Sequence, residues 1–254
     1  NAWTHRRAVA AERVALRRAR LVITNSQRTS RDVIERVGVT ADRVRCVYYG
    51  ADPSFHRPPD AAERAAARAA LGWRDERPAC AFVGALGDRR KGFDTLFTAW
   101  ERLCRDAAWD ARLVVVGAGQ ELPAWRARAD AAGLADRIRF TGFLTDVRDV
   151  LWAADAIVAP ARYEAYGLGV HEAVCCGLPA IVSANAGVAE RLGELDALRI
   201  QRPDDVAELT AALRRWRREP DAWRQRTGPA AARLRAWTWD DMASQFVAEM
   251  RTRA

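Results

Sequence analysis

A doubly wound α/β fold, an open parallel sheet with helices on both faces, is what this sequence predicts from residue 80 to Pro203, and three observations carry the prediction. Short apolar runs alternate with helix-length segments, as strands do with the crossover helices of a parallel sheet. The runs are apolar on both faces, which suits central strands covered from both sides. Five of the six runs also lead within two residues into a glycine, a proline or a serine, where such folds place their ligand-binding turns, beyond the carboxyl ends of the strands.

The runs are Cys80 to Val83, Leu113 to Val116, Ile138 to Phe140, Ala156 to Ala159, Ala180 to Val182 and Leu198 to Ile200, each too short for a helix. Between the first two, Phe93, Leu96, Phe97, Trp100 and Leu103 recur at helical spacing and predict an amphipathic helix. The informative turns are then those at Gly84, Gly117, Gly142, Pro160 and Ser183. After Pro203, residues 204 to 217, 219 to 235 and 240 to 253 read as helices, with Trp216, Trp223, Trp237 and Trp239 as core or interface anchors.

The first fifty residues stand outside that repeat. Leu21 to Ser26 and Val44 to Asp52 read as two strands around one helix, too little to fold alone. The expected organisation is therefore residues 1 to 50 as the tail of an incomplete N-terminal domain, 51 to 235 as the sheet domain, and 236 to 254 as a helix packing back toward the N-terminal part.

Composition narrows the function. Half of the 254 residues are hydrophobic, as in a globular chain, and no apolar run approaches the roughly 20 residues of a membrane helix. The start lacks the apolar core of a signal peptide, so the expected location is the cytoplasm. Cysteines 46, 80, 104, 175 and 176 are odd in number and without ligand spacing, and the only histidines are His5, His56 and His171. These point to reduced thiols and to no metal centre. The net charge of +8 raises a nucleic-acid hypothesis, but Lys91 is the only lysine among 41 basic residues, and such arginine and alanine bias reads as genome composition rather than as a basic surface. Nucleic acid is not an expected partner. Arg6, Arg7, Arg13, Arg17, Arg18 and Arg20 form either a solvated helix face or a basic face for peripheral contact with the inner face of a membrane.

The segment from Tyr163 to Pro179 is the most informative in the chain. Glu164 and Glu172 bracket seven residues that include Tyr166, Gly167 and Leu168, and the flanking runs predict strand, loop, helix, strand. Glu164 then lies in a loop beyond a strand, the amides of Gly167 and Leu168 open a helix where an anion is stabilised, and Glu172 follows about a turn later. A second element is Arg89-Arg90-Lys91-Gly92, a cationic turn between the first sheet strand and its helix. It can neutralise a diphosphate, the arginines as bidentate forks and the lysine as a mobile charge.

These residues resemble the E-x7-E motif of the family-4 glycosyltransferases (glycosyl transferases group 1), retaining enzymes of the GT-B fold that take a sugar from a nucleotide diphosphate. The resemblance covers roughly residues 51 to 235 and implies the C-terminal, donor-binding half of such an enzyme. It implies that Glu172 holds the ribose hydroxyls, that Glu164 meets the transferred sugar near its reacting carbon, and that the amides of Gly167 and Leu168 bind sugar or phosphate. Tyr166 stands where the family usually has phenylalanine. Lys91 carries over as a phosphate-binding cation beside Gly84. The family arginine of this turn is replaced by Ala85, and either Arg89 or Arg90 takes its place. Phe140 to Leu144 resembles the base-binding turn, with Gly142 and main-chain atoms near Leu144 reading the base. Gly187 and Glu190 resemble a later Gly-Gly-x-x-Glu element with Ala186 at its first glycine.

What this implies is transfer of a sugar to a sugar or lipid-linked acceptor, as in bacterial polysaccharide or glycolipid biosynthesis, with no metal and no cofactor beyond the donor itself. The alternatives are a nucleotide-sugar binder inactive without a separate N-terminal domain, and a GT-B nucleotide-sugar epimerase, for which the acid-base groups are few. Gly117-Ala118-Gly119 resembles a dinucleotide fingerprint but has Leu122 at the third glycine. His171 and Cys175, four apart, imitate a nucleophile pair, although burial against the sheet is the expected reason for both.

Overall fold

The computed structural model describes residues 2–252 and divides them into two compact units, one of residues up to Gly50 with those from Trp237 onward, the other Ala51–Ala236. In the first, α1 (Ala2–Arg18) leads to β1 (Val22–Thr24), α2 (Gln27–Asp32), a π-helical turn (Val33–Val37) and β2 (Val44–Cys46), which pairs parallel with β1. Ser26 starts α2 by accepting the Thr29 amide at 3.0 Å, one of the donors a helix start leaves unpaired. Val22, Val33, Val39 and Val44 form a small core that Leu16 and Ile34 extend. Residues 6–15 of α1 are exposed on every face, and Arg13 Nη2 donates to the Arg36 carbonyl at 3.2 Å.

The second unit opens with α3 (Ala61–Ala70), fixed by a reciprocal Asp60 and Glu63 capping box. Then follow β3 (Ala79–Val83), α4 (Phe93–Cys104), β4 (Arg112–Val116), α5 (Leu122–Ala131), β5 (Ile138–Gly142), α6 (Arg148–Ala153), β6 (Ala156–Ala159), α7 (Leu168–Cys175) and β7 (Ala180–Val182). The strands form one parallel sheet in the order β5-β4-β3-β6-β7. From β3 the chain builds outward one way to β5, then returns to β6 and builds the other way. Right-handed crossovers therefore place α4 and α5 on one face and α6 and α7 on the other, which is the doubly wound arrangement.

Two closing helices, α8 (Val206–Arg218) and α9 (Pro220–Arg235), cover opposite faces: α8 packs on α4, α9 on α7. The stripe on α4 is buried as its spacing requires, with Leu96, Phe97, Trp100 and Leu103 fully inaccessible. Trp216 and Trp223 are buried too. The run from Leu198 to Ile200 departs from expectation. A 3-10 turn occupies Gly193–Leu198 and only an isolated bridge joins Ile200 to Ser183, because the turn uses up the residues a longer strand would need. At the other edge, β5 continues two residues past Phe140 to Gly142 through an irregularity opposite Val115 and Val116.

The last helix, α10 (Trp239–Arg251), returns to the first unit behind a Thr238 and Asp241 capping box. Trp237 Nε1 donates to the Tyr48 carbonyl at 3.2 Å and Arg45 pairs with Glu249 at 3.3 Å. None of the α10 residues is buried, and Trp239, Phe246, Val247 and Met250 are exposed, so Trp239 is no core anchor.

Candidate functional site

Neighbouring strands whose connections depart in opposite directions leave a crevice at their carboxyl ends, and here those strands are β3 and β6. The turn after β3 is pressed onto the end of β6. A Cβ on Gly92 would lie 2.0 Å from the Pro160 carbonyl oxygen, and Gly92 has φ of 71°, so glycine is required there on both counts. Asp88 shapes the turn by accepting the Arg90 amide at 3.0 Å, which starts a 3-10 turn over Arg89–Lys91. The Lys91 ammonium thereby meets the Glu164 carboxylate in a direct, partly buried ion pair, across 73 residues of sequence.

Glu164 is held by main chain. Its N–H donates to Asn185 O at 3.2 Å, its carbonyl accepts from Gly187 N at 3.1 Å, and Tyr166 O accepts from Val188 N at 2.7 Å. Gly167, with φ of 104°, then turns the chain into α7 without a side-chain cap, so the first α7 amides, Leu168 and Gly169, face outward at the positive end of the helix. Glu172 sits on the second turn. Burial raises its carboxyl above the ordinary glutamate value, and His56 Nε2 is 3.9 Å from its Oε1.

Inside this loop, Tyr166 and His171 are buried and bonded, Oη to Nδ1 at 2.7 Å, while Arg191 donates to the Tyr166 oxygen at 3.2 Å. The other ring nitrogen, His171 Nε2, is buried and has no hydrogen-bond partner. Burial, then the Arg191 charge, pulls the His171 pKa down to about 3, and burial pushes Tyr166 up to about 12. Cys175 is fully buried and its thiol is pushed up to about 12, so it is no nucleophile at neutral pH and the imitation pair with His171 is a packing feature.

The two arginines of the turn differ. Arg90 forks onto Asp88 at 2.8 and 3.0 Å, whereas Arg89 is largely exposed, with Asp94 3.8 Å away. Gly84 follows β3 and lies along the Lys91 stem, where an added Cβ would sit 3.6 Å from Lys91 Cγ. Gly142 and Leu144 lie at the end of β5, two strands from β3 and so about 10 Å from that crevice; Leu144 is half-buried while its neighbour Phe143 is exposed. Gly117 and Gly119 serve the backbone, since added Cβ atoms would lie 1.9 Å from Gly84 O and 1.5 Å from Leu86 O. A cavity of about 220 Å³ lies beside the turn, lined by Ala85, Arg89, Phe93, Asp94, Glu121 and Trp125 among others, and does not include the Lys91 and Glu164 pair. Among the described residues no group of three His, Cys, Asp or Glu could hold a metal, and no helix is long and apolar enough to cross a membrane.

The model of the family described as glycosyl transferases group 1 matches residues 77–218, more than half of the chain. This chain belongs to that family. A 2-deoxystreptamine N-acetyl-D-glucosaminyltransferase of Streptomyces fradiae is 34% identical over 82% of this group 1 chain and 49% of its own length. A 2-deoxystreptamine glucosyltransferase of Streptomyces kanamyceticus is 30% identical over 96% of the chain and 62% of its own length. The chain thus spans about half to two thirds of these relatives. Sucrose-phosphate synthase of Thermosynechococcus elongatus superimposes with a TM-score of 0.79 at 28% identity, over 95% of this chain and 60% of that one. Anabaena Alr3699/HepE, solved with UDP-glucose, does so with a TM-score of 0.81 at 20% identity, over 93% and 65%, a likeness of fold. The matched structures are GT-B glycosyltransferases, in keeping with the doubly wound sheet.

Several contributors to this geometry leave no mark in the sequence. His56, Arg162 and Asp94 carry no motif, and their partners are remote in the chain.

Proposed function

We propose that this chain supplies the donor site of a retaining glycosyltransferase, one that moves a sugar from a nucleotide diphosphate to an acceptor hydroxyl. The observation that carries the reading is the Lys91 and Glu164 pair at the carboxyl ends of β3 and β6, with the start of α7 and Glu172 following on the same segment. Breaking the glycosidic bond leaves negative charge on the diphosphate, and fixed positive groups at that point lower the barrier. Lys91, an arginine of the turn and the first amides of α7 are suited to this, and the proposed chemistry calls on no metal. Arg89 is the freer arginine, since Arg90 would have to leave Asp88. The Glu172 carboxylate suits a ribose diol, accepting both hydroxyl protons. Glu164, released from Lys91 as the diphosphate takes that cation, would face the sugar. Gly142 and Leu144, on the far side of β4, would receive the base.

A thermal-shift panel of nucleoside diphosphates and their sugars tests the reading. A ligand at about a hundred times its Kd adds roughly 2.7 kcal/mol, a rise of about 5 to 10 °C for a chain of this size. Lys91→Ala and Glu172→Ala are expected to abolish that rise. A wild-type chain unmoved by every nucleotide at millimolar concentration refutes the donor site. Because the chain spans only part of its relatives, turnover is assayed separately. Donor binding without transfer, with transfer regained on adding an N-terminal partner, identifies a donor-binding half.

A further inference from the structure

We infer that Arg162 is a positioning residue that fastens the cationic turn to the Glu164 loop and so brings Lys91 and Glu164 together. The inference builds on the donor-site reading but concerns geometry that can be measured without a donor. Arg162 lies two residues before Glu164, and every arm of its guanidinium is engaged. Nη1 and Nη2 fork onto Asp94 at 2.8 and 2.9 Å, and Nη1 also donates to the Arg89 carbonyl at 2.5 Å. Nε donates to Asp204 at 2.5 Å. Its main-chain N–H donates to Arg90 O at 2.8 Å.

Two successive carbonyls of the 89–91 turn are therefore held by one residue of the opposite loop, and the start of α4 is held with them through Asp94. Burial and hydrogen bonding agree with a fixed charge: the fork from Arg162 keeps the Asp94 carboxyl below its ordinary value despite burial, and the Arg162 guanidinium is raised. Lysine cannot replace it, because an ammonium is one point charge and cannot span a carboxylate, a carbonyl and a second carboxylate in one plane. Arg162 need touch no substrate. It acts through Lys91, whose own side chain is partly exposed and would otherwise swing out from Glu164.

Because Lys91 is the only lysine, the reactivity of its amine reads the arrangement directly. The full chain is treated with an acylating reagent and the rate at Lys91 is followed by peptide mass mapping, beside unfolding temperature and affinity for nucleoside diphosphates. Arg162→Ala and Arg162→Lys are each expected to speed acylation about five- to tenfold and to weaken nucleotide binding by about tenfold. Asp204→Ala, which removes only the exposed arm, should change both less than about twofold. A merely structural role would lower the unfolding temperature and leave both readings at their wild-type values in the folded protein. Unchanged Lys91 reactivity in Arg162→Lys overturns the inference, and that variant serves if Arg162→Ala does not fold. Faster acylation in a chain that binds no nucleotide even as wild type upholds the positioning role while refuting the donor site.

Discussion

Acid should destabilise this protein through His171 before its carboxylates are protonated. The ring is 1% exposed, its Nδ1 is bonded to Tyr166, its Nε2 has no partner, and Arg191 stands beside the tyrosine oxygen. Its pKa in the folded chain is about 3, against an ordinary value of 6.5. Because the folded value is the lower one, the unfolded chain binds the proton first. Stability is full above the unfolded value and is lost as pH falls toward the folded one. Each unit of pH in that window costs about 1.4 kcal/mol, so about two units below the unfolded value, near pH 4.5, the loss is roughly 2 to 3 kcal/mol. His171→Gln keeps an acceptor for Tyr166 and cannot charge. Urea unfolding of both proteins, followed by tryptophan fluorescence at about pH 7 and about pH 4.5, isolates the histidine, since every other group titrates in both. Wild type should lose roughly 2 to 3 kcal/mol more than the variant over that interval. Parallel losses would refute the reasoning.

Glu172, raised by burial, behaves in the opposite sense: its contribution is greatest below the unfolded value of 4.5 and is lost as pH rises through the higher folded value. Glu172→Gln should accordingly raise neutral-pH stability in urea while abolishing the nucleotide-induced thermal shift. In wild type, nucleotide affinity should fall on acidification at a pH above the ordinary glutamate range, as titration calorimetry across pH would record. Gly92→Ala must displace Pro160 or leave the left-handed region, and should cost roughly 2 to 4 kcal/mol of unfolding free energy. Tyr166→Phe leaves His171 Nδ1 buried and unbonded, for a loss of about 1 to 3 kcal/mol.

The alternation of apolar runs was enough to read the sheet, because strands covered on both faces have no choice but to be apolar throughout. It misled at Leu198 to Ile200, where an equally apolar run is buried by a 3-10 turn and a single bridge; burial alone does not distinguish the two. Glu164 and Glu172 stand out because they share one loop and helix, so their spacing is local. Their meeting with Lys91 is not local, but it follows once β3 and β6 are neighbours, since adjacent parallel strands bring their following turns together. Arg162 with Asp94, and Glu172 with His56, were illegible. An ion pair separated by 68 residues in an arginine-rich chain has no periodicity to betray it. The Tyr166 and His171 bond is similarly hidden, since a buried aromatic and a hydrogen-bonded one look the same in sequence.

Glu164 is tied to the 185–188 loop through peptide groups, and peptide groups are common to every residue. The bonds themselves therefore set no residue type there, and what limits that stretch is the room around its buried residues Ala186, Gly187 and Val188. Ala186 illustrates the freedom: its φ of −97° and ψ of 133° are open to any residue, so an alanine can stand at a position where relatives are expected to carry glycine. Side chains around this crevice can therefore change without moving the Glu164 carboxylate, because the bonds that place it belong to the peptide groups.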